Sequence, residues 1–294
     1  MGTTDAAWAA VTQYAIAQRD AIVGLGPRAV ADEPDAAHKM RVACRRLRSV
    51  LATFRPFVDE QLTDPVRGEL RWVAHELGPT RDTEVLADKL ERAVEDLPES
   101  LRVGPVDARL GAYLSRETTR AHEQAARALG GDRYAALVTD LDVVVEDMPD
   151  AAAGPSALLR RVDEAAARVD EWLDRSGELP PGPERTAALH EARKAGKRVR
   201  YAAEALRGVG ADAAERLIDV TRALQDVLGT HRDAITAQAA LSDLAHDAHC
   251  AGENAFTYGL LYAHENSAGD AELAKLPGVT KAFRRADARS WLVP

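Results

Sequence analysis

Cysteine, aromatic residues, long apolar runs and alternating β-branched patterns are all scarce in this 294-residue chain. The two cysteines, Cys44 and Cys250, cannot build a disulfide framework and suit a reducing compartment. No apolar run approaches the roughly 18 residues that a bilayer span requires. The N-terminal segment lacks the basic and apolar blocks of a secretory signal. Ala6 stands where a myristoylation signal needs Ser or Thr. A cytoplasmic protein without membrane attachment is expected. The 14 aromatic residues give little material for the base-stacking platforms of single-strand nucleic-acid readers. Neither a phosphate-cradling P-loop nor a dinucleotide glycine fingerprint is present.

Helix formers are abundant. Hydrophobic residues at 46% are enough for a real core, and Ala, Leu, Arg, Glu and Asp dominate. The one strand-like run, Leu141 to Val145, lies inside a longer helical stretch and reads as helix. Gly and Pro fall mostly at boundaries: Gly24 to Pro27, Gly78-Pro79, Gly104-Pro105, Gly130-Gly131, Pro149, Gly154-Pro155 and Gly177 to Pro183. The segments between them run roughly 12 to 25 residues. Asp64-Pro65 reads as a helix start, and Gly78 and Gly229 as C-terminal caps. The expected fold is all-α, a packing of about a dozen helices.

An internal repeat organises the chain. His38-Lys-Met-Arg41-Val-Ala-Cys-Arg45-Arg46-Leu-Arg48 recurs as His190-Glu-Ala-Arg193-Lys-Ala-Gly-Lys197-Arg198-Val-Arg200, an offset of 152 residues. Leu77-Gly78-Pro-Thr-Arg81-Asp82 recurs as Leu228-Gly229-Thr-His-Arg232-Asp233, an offset of 151. Two motifs sharing one spacing point to related halves, 1–150 and 151–294, inside a single domain of 1–294 with a shared core.

At 100° per residue, with His38 as zero, Arg41, Arg45 and Arg48 fall near 300°, 340° and 280°. Lys39 and Arg46 flank them near 100° and 80°. Met40, Ala43, Leu47, Val50 and Leu51 lie on the opposite side. The second copy repeats the pattern with His190, Arg193, Lys194, Lys197, Arg198 and Arg200, and adds Tyr201 near 20°. A solvated polar face would explain either helix alone. An exposed helix in an acidic protein, however, usually interleaves acids with its cations. The two copies hold ten Lys and Arg and one acid, Glu191, whereas the chain as a whole carries −9. Such a stripe repels itself, and an anionic ligand relieves it. Arg outnumbers Lys, which suits phosphate oxygens. Two equivalent stripes suit a long, repetitive polyanion better than one small phosphate ester. Arg81 and Arg232, read as opening new helices after a cap glycine, either add to an anion site or pair with neighbouring carboxylates. The two histidines either donate to phosphate or pack between helices.

At these residues the sequence resembles the CHAD family, the conserved-histidine α-helical domain, over nearly the whole chain. The resemblance implies two pseudo-symmetric helical bundles around a basic cavity that binds inorganic polyphosphate, and association with polyphosphate granules. The implied binding residues are His38, Lys39, Arg41, Arg45, Arg46 and Arg48, with His190, Arg193, Lys194, Lys197, Arg198 and Arg200. Arg81, Arg232 and Tyr201 join them from the face and helix-start readings. Gly196 and Glu191 depart from the pattern, which implies a weaker second half. No catalytic residue, cofactor or metal is expected. His246-Asp247-Ala-His249-Cys250 has metal-like spacing but no further ligand group to complete a site. Two rivals stand beside polyphosphate binding: a phosphohydrolase or phosphotransferase clamping polyphosphate, which normally needs metal-holding carboxylates, and nucleic-acid binding, which the net negative charge opposes.

Overall fold

A computed structural model describes residues 3–148 and 153–292. Met1-Gly2, Pro149 and the expected junction near residue 150 lie outside the described residues. Among the described residues the chain is all-α, with twelve α-helices and three single turns of 3-10 helix. The helices are α1 (Thr3–Val30), α2 (Ala36–Thr53), α3 (Glu60–Glu76), α4 (Gly78–Glu95), α5 (Val106–Leu129) and α6 (Asp132–Asp147). They continue with α7 (Pro155–Glu178), α8 (Pro183–Ala205), α9 (Ala211–Cys250), α10 (Phe256–Leu273), α11 (Leu276–Phe283) and α12 (Ala286–Arg289). The run Leu141 to Val145 lies within α6, as its surroundings predict.

Three boundary expectations are corrected. The third helix begins at Glu60, not at Asp64-Pro65. Asp59 caps it, its side chain accepting the Gln61 N–H at 2.7 Å, and Pro65 sits inside the helix. Gly78 opens α4 and does not cap α3, and the backbone passes from α3 to α4 through Leu77 alone. Gly229 is in the middle of α9, which runs 40 residues without a break. The difference follows from the next residue: Pro79 lacks the N–H that helix continuation needs, and Thr230 has it. Gly24 and Gly26 likewise lie within α1. At Gly26, α6 comes so close that a Cβ would meet the Tyr134 ring, whose hydroxyl donates to the Ile22 carbonyl at 3.1 Å.

Two hydrophobic clusters hold the helices together, and each draws on both sequence halves. The larger one joins α1, α2, α3 and α6 to α7, α8 and the first half of α9, through residues such as Met40, Leu47, Leu70, Leu141, Val199 and Leu217. The smaller one joins α4 and α5 to the second half of α9 and to α10, through Leu86, Leu90, Leu110, Leu241, Leu244 and Tyr258. Residues 77 to 86 and 228 to 237 carry the chain from one cluster to the other. This waist is where the Leu-Gly-x-x-Arg-Asp motifs lie.

A basic seam between two repeated helices

The long cations that bury their stems while keeping charged tips polar fix the site's layout. Helices α2 and α8 pack against each other with Met40, Leu47, Ala192 and Val199 on the core side, and their cationic stripes face the waist. Arg41 reaches α3 and α4: its Nε donates to the Ala74 carbonyl at 3.3 Å, and its terminal nitrogen lies 3.6 Å from Asp82. Gly78 leaves room for that guanidinium, 3.8 Å from where a Cβ would stand. Gly229 does the same for Arg193, more tightly, at 3.0 Å. Gly229 thus lets Arg193 lie against a helix backbone, a role that a cap reading does not reveal, while at Gly78 an added Cβ would make only ordinary contact with Arg41.

The sequence singled out fifteen residues, and the structure divides them. Arg41, Arg45, Arg193 and Lys197 are half-buried and close enough to bear on one another's charge. Burial, and then the neighbouring arginines, pull the Lys197 ammonium down to about 5. Burial brings Arg45 down to about 10, which leaves it charged at neutral pH, and lowers Arg193 as well. His38 and His190 stand at the waist beside Arg81 and Arg232. Burial first, and then these arginines, hold both imidazoles below the usual 6.5. His190 Nδ1 lies 3.3 Å from the Arg232 guanidinium, and the buried Nδ1 of His38 has no partner.

Arg46 and Arg200 flank the seam on one side, over the ring of the buried Tyr201 at 5.8 and 5.0 Å. Arg48 and Arg198 flank it on the other side, with Arg67 of α3 bearing on both. Lys39 and Lys194 stand apart from the cluster: both are exposed, and each pairs with an acid on or next to its own helix, Asp35 at 3.9 Å and Glu191 at 2.8 Å. Arg81 pairs with Glu84 at 2.9 Å while still facing His38. The expectation that Arg232 sits at a helix N-terminus fails, because α9 is continuous there. Gly196 packs under Gln225 and Thr221 of α9 at ordinary contact distance, so it serves the approach of two helices. The C-terminal cations Arg284, Arg285 and Arg289 are occupied by Asp170, Asp174 and Asp287.

Among the described residues, no carboxylate lies within 4.0 Å of Arg45, Arg48, Arg193, Lys197 or Arg198. Two residues of the site escaped sequence reading. Glu204, one turn beyond Arg200, is buried within 3.3 Å of Arg46 and 3.8 Å of Arg200, and accepts the Tyr14 hydroxyl at 2.7 Å. A lone acid one turn past the motif was its only signal. Tyr14 carried none, since nothing in the sequence places α1 against the end of α8.

A family model described as the CHAD domain matches residues 13–242. The chain belongs to the CHAD family. Two relatives from Mycobacterium tuberculosis, Uncharacterized protein MT2285 (strain CDC 1551 / Oshkosh) and Uncharacterized protein Rv2226 (strain ATCC 25618 / H37Rv), are each 35% identical over 249 residues. The match covers 82% of this CHAD chain and 47% of each relative, so the chain spans about half the length of these proteins. Two solved structures share the fold. PptA from Streptomyces chartreusis aligns with TM-score 0.73 and 24% identity over 94% of this chain and 99% of its own. The CHAD domain from the plant Ricinus communis aligns with TM-score 0.73 and 22% identity over 96% and 93%. No helix among the described residues is long and apolar enough to cross a membrane.

Proposed function

We propose that this CHAD domain binds inorganic polyphosphate in the seam between α2 and α8 and does not turn it over. The observation that carries this reading is the set of cations without a carboxylate partner, Arg45, Arg48, Arg193, Lys197 and Arg198, gathered from two helices in a chain of net charge −9. Each guanidinium offers a donor fork matched to phosphate oxygens. Burial first, and then their mutual repulsion, depress the Lys197 ammonium, and a polyanion that enters relieves that repulsion. The partnerless His38 Nδ1 adds a donor once protonated. The seam's cations are fixed on helices, which favours a repetitive chain over a single phosphate. Granule association follows from the same affinity where long-chain polyphosphate condenses. Nucleic acid fits less well, because the buried Tyr201 ring is covered by arginines and offers no stacking face.

The deciding experiment titrates long-chain polyphosphate against the wild type and an Arg45→Ala, Arg46→Ala, Lys197→Ala, Arg198→Ala variant. The expected result is saturable, salt-sensitive binding that the variant loses by at least a hundredfold. Equal affinity in both rejects the reading.

A second reading, phosphohydrolysis on a clamped chain, has one observation in its favour. Asp82 and Asp233 bear on each other at the waist, and burial together with Asp82 raises the Asp233 carboxyl. Incubation with magnesium and long-chain polyphosphate separates the two, since a binder releases no phosphate.

A further inference from the structure

The two flanks of the seam differ. Along a helix, residues two apart point to nearly opposite sides. Arg46 and Arg48 therefore straddle Arg45, and Arg198 and Arg200 straddle Lys197. Arg46 meets Arg200 on the flank that holds Glu204, Tyr201 and Tyr14. The Glu204 carboxylate has three partners there and is almost wholly buried. Together with burial it pushes the Tyr14 phenol far above its ordinary range, which keeps that hydroxyl a donor. Arg48 meets Arg198 on the other flank. Shifted by the 152-residue repeat offset, Glu204, Tyr201 and Tyr14 correspond to Ala52, Ser49 and Ala166, so that flank lacks the carboxylate and both phenols. It carries additional arginines instead. Arg67 and Arg71 project from α3, and Arg161 and Arg168 from α7, where the same offset puts Ala9 and Ile16 in place of the last two. Arg161 is tied to the Thr53 carbonyl at 3.1 Å and to Glu164. Arg71 is exposed, and Arg168 is 68% exposed.

We propose that Glu204 closes one end of the basic seam, and that a polyphosphate chain leaves it only across the Arg48–Arg198 flank, onto Arg67, Arg71 and Arg168. This rests on the polyphosphate reading above. A buried carboxylate fixed between two guanidiniums stands where a phosphate oxygen would otherwise bind, and it repels the next phosphate in line. On the opposite flank the carboxylates stand outside the seam: Asp64 pairs with Arg67 at 2.5 Å and Glu171 with Arg168 at 3.2 Å, both far more exposed than Glu204, and among the described residues none lies within 4.0 Å of Arg48 or Arg198. Burial and then neighbouring arginines lower Arg48 and Arg198, the electrostatic condition a polyanion relieves. The seam is thus one-ended: a chain terminus lies toward Glu204, and the remaining phosphates run outward over α3 and α7.

The test compares tripolyphosphate with long-chain polyphosphate on the whole chain. An exit variant, Arg67→Ala, Arg71→Ala, Arg168→Ala, is expected to lose long-chain affinity tenfold or more while tripolyphosphate affinity stays within twofold. The salt slope for the long chain should fall by about 2, from roughly 0.7 per lost phosphate contact. Glu204→Gln is expected to tighten both ligands several-fold by freeing Arg46 and Arg200. Unchanged long-chain affinity in the exit variant, or unchanged or weaker binding by a folded Glu204→Gln protein, overturns the inference. Should Glu204→Gln fail to fold, the exit variant decides alone. A wild type that binds neither ligand sinks the underlying polyphosphate reading, whereas a wild type that binds both with no length-dependent loss in the exit variant sinks only the one-ended seam.

Discussion

Replacing Lys197 with Met should stabilise the unliganded protein, because the wild-type side chain surrenders its proton on folding. In the unfolded chain the amine titrates near 10.5, and in the folded seam near 5. At pH 7 the folded protein therefore forgoes a proton that the unfolded chain holds with about 3.5 decades to spare. At 1.36 kcal/mol per decade this sets a ceiling of about 5 kcal/mol. Fitting a methionine among the guanidiniums and giving up the amine's hydrogen bonds to water costs part of this, leaving a net gain of about 2 kcal/mol. That corresponds to a rise in Tm of about 4 °C for a domain of this size. The sign with pH is fixed. A depressed amine costs nothing above 10.5, costs more as pH falls toward 5, and is constant below that. The stability gap between Lys197→Met and wild type should widen from pH 10 to pH 6 in denaturant or thermal melts. A gap independent of pH, or a destabilised variant, refutes the electrostatic account of the seam. Binding supplies the complementary measurement. A polyphosphate that restores the Lys197 charge takes up close to one proton at pH 7. Wild-type affinity should therefore rise up to tenfold per pH unit between pH 9 and pH 6, with calorimetric heats that depend on the buffer's ionisation enthalpy. Lys197→Met should flatten that profile down to the histidine range.

The other predictions address separate parts of the structure. Burial first, and then Arg81 and Arg232, hold the His38 and His190 imidazoles below their ordinary 6.5. The unliganded protein should thus lose stability as pH falls from 6.5 toward 5, and His38→Gln with His190→Gln should shrink that loss in thermal melts. Gly78→Ala gains helix propensity, with the Arg41 guanidinium at an undemanding 3.8 Å, so it should stabilise by about 0.5–1 kcal/mol and bind polyphosphate as wild type does. Gly229→Ala brings a Cβ to 3.0 Å from the Arg193 guanidinium; it should fold but bind several-fold more weakly, and equal binding by both alanine variants would remove the glycines from the site's design. Lys89 pairs at 2.8 Å with Glu265, which is 3% exposed between α4 and α10. Lys89→Met leaves that carboxylate buried and unpaired, which should cost about 3 kcal/mol in denaturant melts.

The helices and their approximate number were legible in the sequence because they rest on local rules: propensity and the 3.6-residue period. What the sequence hid depends on neighbours. Gly78 and Gly229 look like caps by composition, yet Gly78 opens α4 and the missing Cβ of Gly229 serves Arg193, a side chain 36 residues upstream. The wheel already placed Lys39 near 100°, on the flank away from Arg41, whereas Lys194 shares the stripe's direction and is set apart only by its exposure and its pairing with Glu191. The shared core was expected. Its division into two clusters, each drawing on both halves, was not readable, since nothing local tells which end of α9 packs against α4 and α5. Glu204 was overlooked because a single acid after ten cations reads as ordinary surface charge until its burial is known.

The separation of the two clusters explains how a self-repelling seam can be held at all. Like charges brought together on the surface of one small core would be relieved by sliding a helix or splaying a terminus. Here α9 runs unbroken through the waist and is gripped by apolar packing at both ends, by Leu217 and Leu224 in the larger cluster and by Leu241 and Leu244 in the smaller. On the other side α3 and α4 span the same distance, broken only at Leu77, where Pro79 removes one helical hydrogen bond. To separate Arg41 from Arg193, or Arg45 from Lys197, α2 and α8 would have to leave an interface that buries Met40, Leu47, Ala192 and Val199. Met40, Leu47 and Val199 each contribute about 1.5–3 kcal/mol when fully buried and Ala192 less, so the packing outweighs surface-screened repulsion between the cations. The repulsion is left for a ligand to relieve. That fixed geometry is also why the single carboxylate of Glu204 can matter: in a seam that cannot rearrange, one buried negative charge at one end is enough to give it a direction.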